Sequence, residues 1–117
     1  MKKNVIAEKS KMFALRIVKM YQYLTAEKKE FILSRQVLKS GTSIGANVRE
    51  AIRGQTRADF YAKLNISLKE ASETEYWLEL LYESGYIDKI QFDSIYTDCQ
   101  EIISILVSIT KTQKKDI

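Results

Sequence analysis

The amino-acid sequence predicts an all-α fold, an antiparallel up-down-up-down bundle of four helices. Three observations predict it. The 117 residues include no proline and only four glycines. Helix breakers are therefore scarce, whereas an all-β chain of this length needs many turns rich in both. Apolar residues recur in alternating steps of four and three over four long stretches, the spacing of one helix face. Only a few residues remain between those stretches, and short connections force antiparallel neighbours. The length fits one core, so residues 1–117 are read as a single domain.

The first helix is expected over about 4–24. Its seam is Ile6, Ser10, Phe13, Ile17, Met20 and Leu24, with Met12, Tyr21 and Tyr23 widening the apolar face. Lys2, Lys3, Lys9, Lys11, Arg16 and Lys19 fill much of the remainder. The second helix is expected over about 26–53, with Thr25 as its N-cap and Glu27 near its positive end. Phe31, Leu38, Gly45 and Ile52 form one apolar row, and Val37, Gly41, Ile44, Val48 and Ala51 a second.

Within that helix, Ser40 to Glu50 carries two glycines among small hydroxyl residues. Each helical glycine costs about 1 kcal/mol relative to Ala, so another backbone is expected to pack closely against Gly41 and Gly45. Ser40, Thr42, Ser43 and Asn47 are expected to bond one another, backbone carbonyls, or facing residues such as Lys69 and Glu70. A break at 40–43, with Ser43 capping a new helix, is the alternative.

Gly54 fits the left-handed position after the second helix. Thr56-Arg57-Ala58-Asp59 resembles a capping box opening a third helix over about 57–84. The seam of that helix is Leu64, Ser67, Ala71, Thr74, Leu78 and Leu81. Ile66, Tyr76 and Trp77 lie off it, so this helix is expected to be covered on more than one side. Gly85 fits the next left-handed position, and Asp88-Lys89-Ile90-Gln91 is a second capping box. The last helix, over about 89–111, carries Phe92, Tyr96, Cys99, Ile103 and Leu106, and the polar tail from Lys111 is expected to fray.

The residues for chemistry are few. The absence of histidine removes the commonest general base and metal ligand. Cys99, the single cysteine, sits on an apolar stripe and reads as a core thiol. Ser43 and Ser67 have no His partner to activate them. Gly41 to Gly45 is not a phosphate loop, because no Gly-Lys-Ser/Thr follows a strand. Glu50, Glu70 and Glu73 could form a carboxylate metal site, although ion pairs to Lys63, Lys69 or Arg49 are the plainer account. Tyr76 and Trp77 at helical spacing read as core or interface before they read as a base-stacking platform. The expectation is therefore a non-enzyme without cofactor or metal. No apolar run approaches the roughly 20 residues of a membrane span, and the first nine residues hold no apolar h-region. A cytoplasmic protein without a membrane partner is expected.

Charge is divided unevenly. Residues 1–53 carry 12 Lys/Arg against 4 Asp/Glu, a local +8, and residues 54–117 carry 7 against 11, a local −4. A basic half suits a polyanion partner, or unlike surfaces that meet on self-association. The residues expected to contact nucleic acid are Lys9, Lys11, Arg16, Lys19, Lys39, Arg49, Arg53 and Arg57. A protein-assembly module without nucleic-acid affinity is the alternative.

Two blocks carry a resemblance. One runs from Gln36 to Ala51 (QVLKSGTSIGANVREA), the other from Asp59 to Leu78 (DFYAKLNISLKEASETEYWL). In sequence and order they resemble the bacterial four-helix-bundle proteins encoded in intervening sequences of 23S ribosomal RNA genes, the S23 ribosomal protein-like family. The motif positions are Ser40, Gly41, Ser43, Gly45, Asn47, Glu50, Lys69, Glu70, Glu73 and Trp77; Lys39 stands where many relatives have Arg. The resemblance spans the first helix through Ile87. It implies an up-and-down bundle assembled as a ring-like homopentamer. It also implies distant kinship with the accessory protein of diversity-generating retroelements, which binds nucleic acid and a protein partner. The resemblance implies no enzymatic activity.

Overall fold

Four helices account for nearly all of the chain in the computed structural model, which describes residues 4–115 and side chains through residue 112: α1 (Val5–Ala26), α2 (Leu33–Ile52), α3 (Arg57–Glu83) and α4 (Lys89–Lys115). No strand occurs among the described residues. Lys2 and Lys3 of the expected first helix, and Asp116 and Ile117 of the tail, lie outside the described residues.

Each helix start has a local cause. The Asn4 side chain accepts the Ala7 N–H at 3.1 Å and opens α1. Thr56 Oγ1 accepts the Asp59 N–H at 3.0 Å and opens α3. At α4 the capping box is reciprocal: Asp88 accepts from the Gln91 N–H at 2.7 Å, and Gln91 accepts from the Asp88 N–H at 2.8 Å. At the end of α3 Gly85 adopts a left-handed φ of 89°, a conformation open to glycine without penalty. Gly54 does not take the left-handed conformation expected of it; its N–H closes back on the Ala51 carbonyl at 3.1 Å.

The first connection differs most from the sequence reading. Thr25 does not cap a second helix. It lies in the last turn of α1, where its hydroxyl donates to the Tyr21 carbonyl at 3.0 Å. The chain then turns at Lys29, which holds a left-handed φ of 55°. Glu30 follows and caps α2, which begins seven residues later than expected. Its carboxylate accepts the N–H groups of Ile32, Leu33 and Ser34 at 3.1, 2.9 and 2.7 Å. Phe31 therefore sits in an exposed connection instead of on a buried helical row. α4 also runs on to Lys115, past the expected end at 111, because nothing in Lys111–Lys115 breaks a helix.

α1 packs on α2 and α4, and α3 packs on α2 and α4. The molecule measures 47 × 26 × 21 Å. In α1, α2 and α3 the core draws on the predicted seams: Phe13, Ile17 and Leu24 from α1, Val37, Ile44 and Val48 from α2, and Leu64, Leu78 and Leu81 from α3. In α4 the buried row is Ile95, Cys99, Ile102 and Leu106, and Phe92, Tyr96 and Ile103 of the expected row are only half-buried. Fully burying each large apolar side chain of the core contributes about 1.5–3 kcal/mol. Met12, expected to widen the apolar face of α1, is 63% exposed, and Ile52, expected on a buried row of α2, is 44% exposed.

Candidate functional site

α2 runs unbroken through Ser40 to Glu50, and the small residues sort onto two faces. Gly41 and Gly45 face α1. A Cβ at Gly41 would stand 2.8 Å from the Ile17 side chain, and one at Gly45 would stand 3.3 Å from the Ser10 carbonyl oxygen. Ser40 and Ile44 face α3. Thr74 Oγ1 bonds to Ser40 Oγ at 2.8 Å, and Ser67 Oγ donates to the Ile44 carbonyl at 2.9 Å. Thr42, Ser43 and Asn47 donate to carbonyls one turn earlier, those of Leu38, Lys39 and Ser43. None of the four bonds the side chain of Lys69, which is exposed, or of Glu70.

The carboxylate candidates do not converge. Glu50 pairs with Lys63 at 2.9 Å, while Glu70 and Glu73 lie further along α3, with Glu73 exposed. Among the described residues, no three His, Cys, Asp or Glu side chains are placed to hold a metal ion. Cys99 is buried, with its Sγ 3.5 Å from the Ala71 carbonyl. Burial, with Glu75 and Asp98 nearby, pushes its thiol up to about 12, so the thiolate needed for nucleophilic chemistry is suppressed. Burial and the Glu79 carboxylate likewise raise the Tyr96 hydroxyl. Tyr76 and Trp77 meet edge-on, with ring centres 5.2 Å apart and planes at 64°. That is not a flat stacking platform. The Trp77 indole N–H is buried and has no hydrogen-bond partner among the described residues.

The eight basic candidates separate into groups. Lys9 pairs with Glu101 at 3.1 Å. Arg16 bonds the Asp98 carboxylate, the Ser94 hydroxyl and the Ser94 carbonyl. These two therefore tie basic α1 to acidic α4 within one chain. Arg57 lies over the Tyr61 ring, 5.4 Å from its centre. Lys11, Arg49 and Arg53, in contrast, border one groove of about 1020 Å³. Its floor is small, made of Ala7, Ala14, Gly45 and Ala46, and it opens toward the α2–α3 connection. Lys39 is exposed and lies three residues before Thr42, which lines the same groove. Lys19 is exposed on α1. Which of these cations is paired depends on which helix each one faces.

Among the described residues no helix is long and apolar enough to cross a membrane. The model of the family described as 23S rRNA-intervening sequence protein matches residues 2–108. A solved structure of a protein with unknown function, from the S23 ribosomal protein family of Bacteroides thetaiotaomicron VPI-5482, is 57% identical. It aligns with a TM-score of 0.90 over 91% of this chain and 98% of that one. No curated protein matches. The matched span takes in all of α1, α2 and α3 and most of α4, including the Ser40–Glu50 segment and the groove beside it, and the chain belongs to the 23S rRNA-intervening sequence protein family.

Proposed function

We propose that this chain is a non-catalytic, homo-oligomeric module that binds RNA or DNA through a basic surface of α1 and α2. The observation that carries the proposal is the grouping of Lys11, Arg49 and Arg53 around one groove. Among the described residues, none of the three is tied to a carboxylate. Cations left in water can release counterions from a phosphate backbone, which gives an affinity that falls steeply with salt.

The subunit is an up-down-up-down bundle in this reading. The registers support it, since Ser10 meets Gly45 while Ile17 meets Gly41, and Ser67 meets Ile44 while Thr74 meets Ser40. Self-association, with the ring-like pentamer as the expected form, draws support from the unpartnered Trp77 N–H and its neighbour Tyr76, which is 55% exposed. A neighbouring copy would supply the missing acceptor and cover the ring. The absence of histidine and the suppressed Cys99 thiol support a role without catalysis.

The second reading is an assembly module without nucleic-acid affinity, with a protein as its partner. It is favoured by Lys9 and Arg16, whose charge is used inside the chain. Light scattering with and without nuclease treatment, followed by electrophoretic shifts with structured RNA across a salt series, separates the two. A mass above the monomer and a salt-sensitive shift are expected. A confirmed oligomer that shifts nothing at low salt overturns the nucleic-acid reading.

A further inference from the structure

We infer that the α1–α2 groove takes the phosphate backbone of a duplex, independently of sequence, and discriminates against single strands. The inference rests on the nucleic-acid reading above. Three observations carry it. First, no aromatic side chain lines the groove. A single strand gains much of its affinity by stacking bases on aromatic rings, about 1–3 kcal/mol per base, and nothing here offers that. The exposed rings lie elsewhere: Phe31 is in the α1–α2 connection, beyond the opposite end of α2, and Tyr76 is in the C-terminal half of α3. A duplex has already stacked its own bases and forfeits nothing.

Second, the cations are arranged along the groove, not at a point. Arg49 is in the last turn of α2, Arg53 caps the end of that helix four residues on, and Lys11 borders the same groove from α1. The α2 wall from Thr42 to Arg53 rises about 16 Å. This suits a backbone that runs past several phosphates more than one small anion. The other charged groups on the groove do not cancel the cations. Glu50 is neutralised by Lys63 at 2.9 Å, and Asp59 stands in the first turn of α3, beside the helix's positive end.

Third, the groove carries little that reads base edges. Its uncharged polar side chains are Thr42 and Gln55, and the Thr42 hydroxyl is already bonded to the Leu38 carbonyl at 2.7 Å. Contacts to phosphate position a protein on the duplex without specifying sequence.

The test is fluorescence anisotropy with the full chain, using a labelled 20-base-pair RNA duplex, its two separated strands and a duplex of scrambled sequence, over a salt series. The duplexes are expected to bind alike and at least about tenfold tighter than either strand. Lys11→Gln and Arg53→Gln should each weaken the duplex and flatten the salt slope by about 1 per contact removed. Circular dichroism and light scattering on each variant establish that fold and assembly are retained. Single strands that bind as tightly as duplexes overturn the duplex assignment and leave the nucleic-acid reading standing. Duplex binding unchanged in both variants overturns the groove assignment alone. No binding by any probe overturns the nucleic-acid reading itself.

Discussion

Gly45 of α2 lies against Ser10 of α1 so closely that a Cβ at Gly45 would stand 3.3 Å from both the Ser10 carbonyl oxygen and its hydroxyl. The hydroxyl could rotate away, but the carbonyl belongs to the α1 backbone. A larger side chain must therefore push the helices apart. Gly45→Leu is expected to cost about 1–3 kcal/mol or more and to lower the melting temperature. Gly45→Ala should stay within about 1 kcal/mol of the parent, since the gain in helix propensity offsets the tighter contact. Thermal denaturation and solution mass check both; a Leu variant that melts with the parent contradicts the close-contact account.

The facing contact between α2 and α3 is polar. Thr74 Oγ1 bonds to Ser40 Oγ and to the Glu70 carbonyl, both at 2.8 Å, and Ser40 and Thr74 are buried. Thr74→Val strands the Ser40 hydroxyl and should cost about 1–3 kcal/mol. Adding Ser40→Ala removes the stranded group, so the double variant should lose less than the two single variants summed. Urea unfolding of all four proteins measures the coupling, and strict additivity would mean the bond contributes nothing.

Glu30 gives stability a defined pH dependence. Burial raises its carboxyl, but the N–H groups of Leu33, Ser34 and Ile32 outweigh this and hold it below its ordinary value of 4.5. A carboxyl depressed in the folded state stabilises above its unfolded value, and that contribution disappears as pH falls through the folded value. Glu30→Gln should cost about 0.5–2 kcal/mol at pH 7, the range for lost caps. The gap between parent and variant should then narrow below about pH 4.5. Denaturation at a series of pH values tests this; a gap that persists unchanged into acid would remove the charged cap from the explanation.

Arg16 and Lys11 belong to the same helix but should behave differently. Arg16 bonds Asp98 and Ser94 across the α1–α4 seam, whereas Lys11 borders the open groove. The Arg16 pair is partly exposed, so Arg16→Ala should cost no more than about 1 kcal/mol and leave salt-dependent binding nearly intact. Lys11→Ala should leave stability within about 0.5 kcal/mol and weaken binding. Unfolding curves and shift assays on both variants give the comparison. Equal effects of the two substitutions on binding would place the contact surface elsewhere.

Cys99 should resist modification. Its thiol is buried and pushed up to about 12, so very little thiolate exists at pH 8 and reagent can reach it only when the bundle opens. Alkylation followed by mass spectrometry should be slow in the native protein and fast in denaturant. Native labelling at the denatured rate would contradict the packing of α4 on α3.

Much of this was legible in the sequence because period and capping are local properties. The seam from Leu64 to Leu81 is buried as its spacing demands, and Asp88 and Gln91 cap α4 as their three-residue separation demands. The start of α2 was not legible. Its cap is a glutamate, and the turn before it uses a left-handed lysine, Lys29, where propensity points to glycine or asparagine. Thr25 carried the stronger local signal, yet α1 absorbed it.

The sequence by itself determined four amphipathic helices, where three of them start, and a basic first half, since each depends on residues a turn or two apart. Only the tertiary structure decided which faces met. It placed Gly41 and Gly45 on α1, and Ser40 on α3. It paired Lys9 and Arg16 with acidic residues about 80 to 90 positions away. It left Lys11, Arg49 and Arg53 around one groove. Helical periodicity fixes which residues share a face, but the rotation of each helix against its neighbours follows from how all four faces pack together.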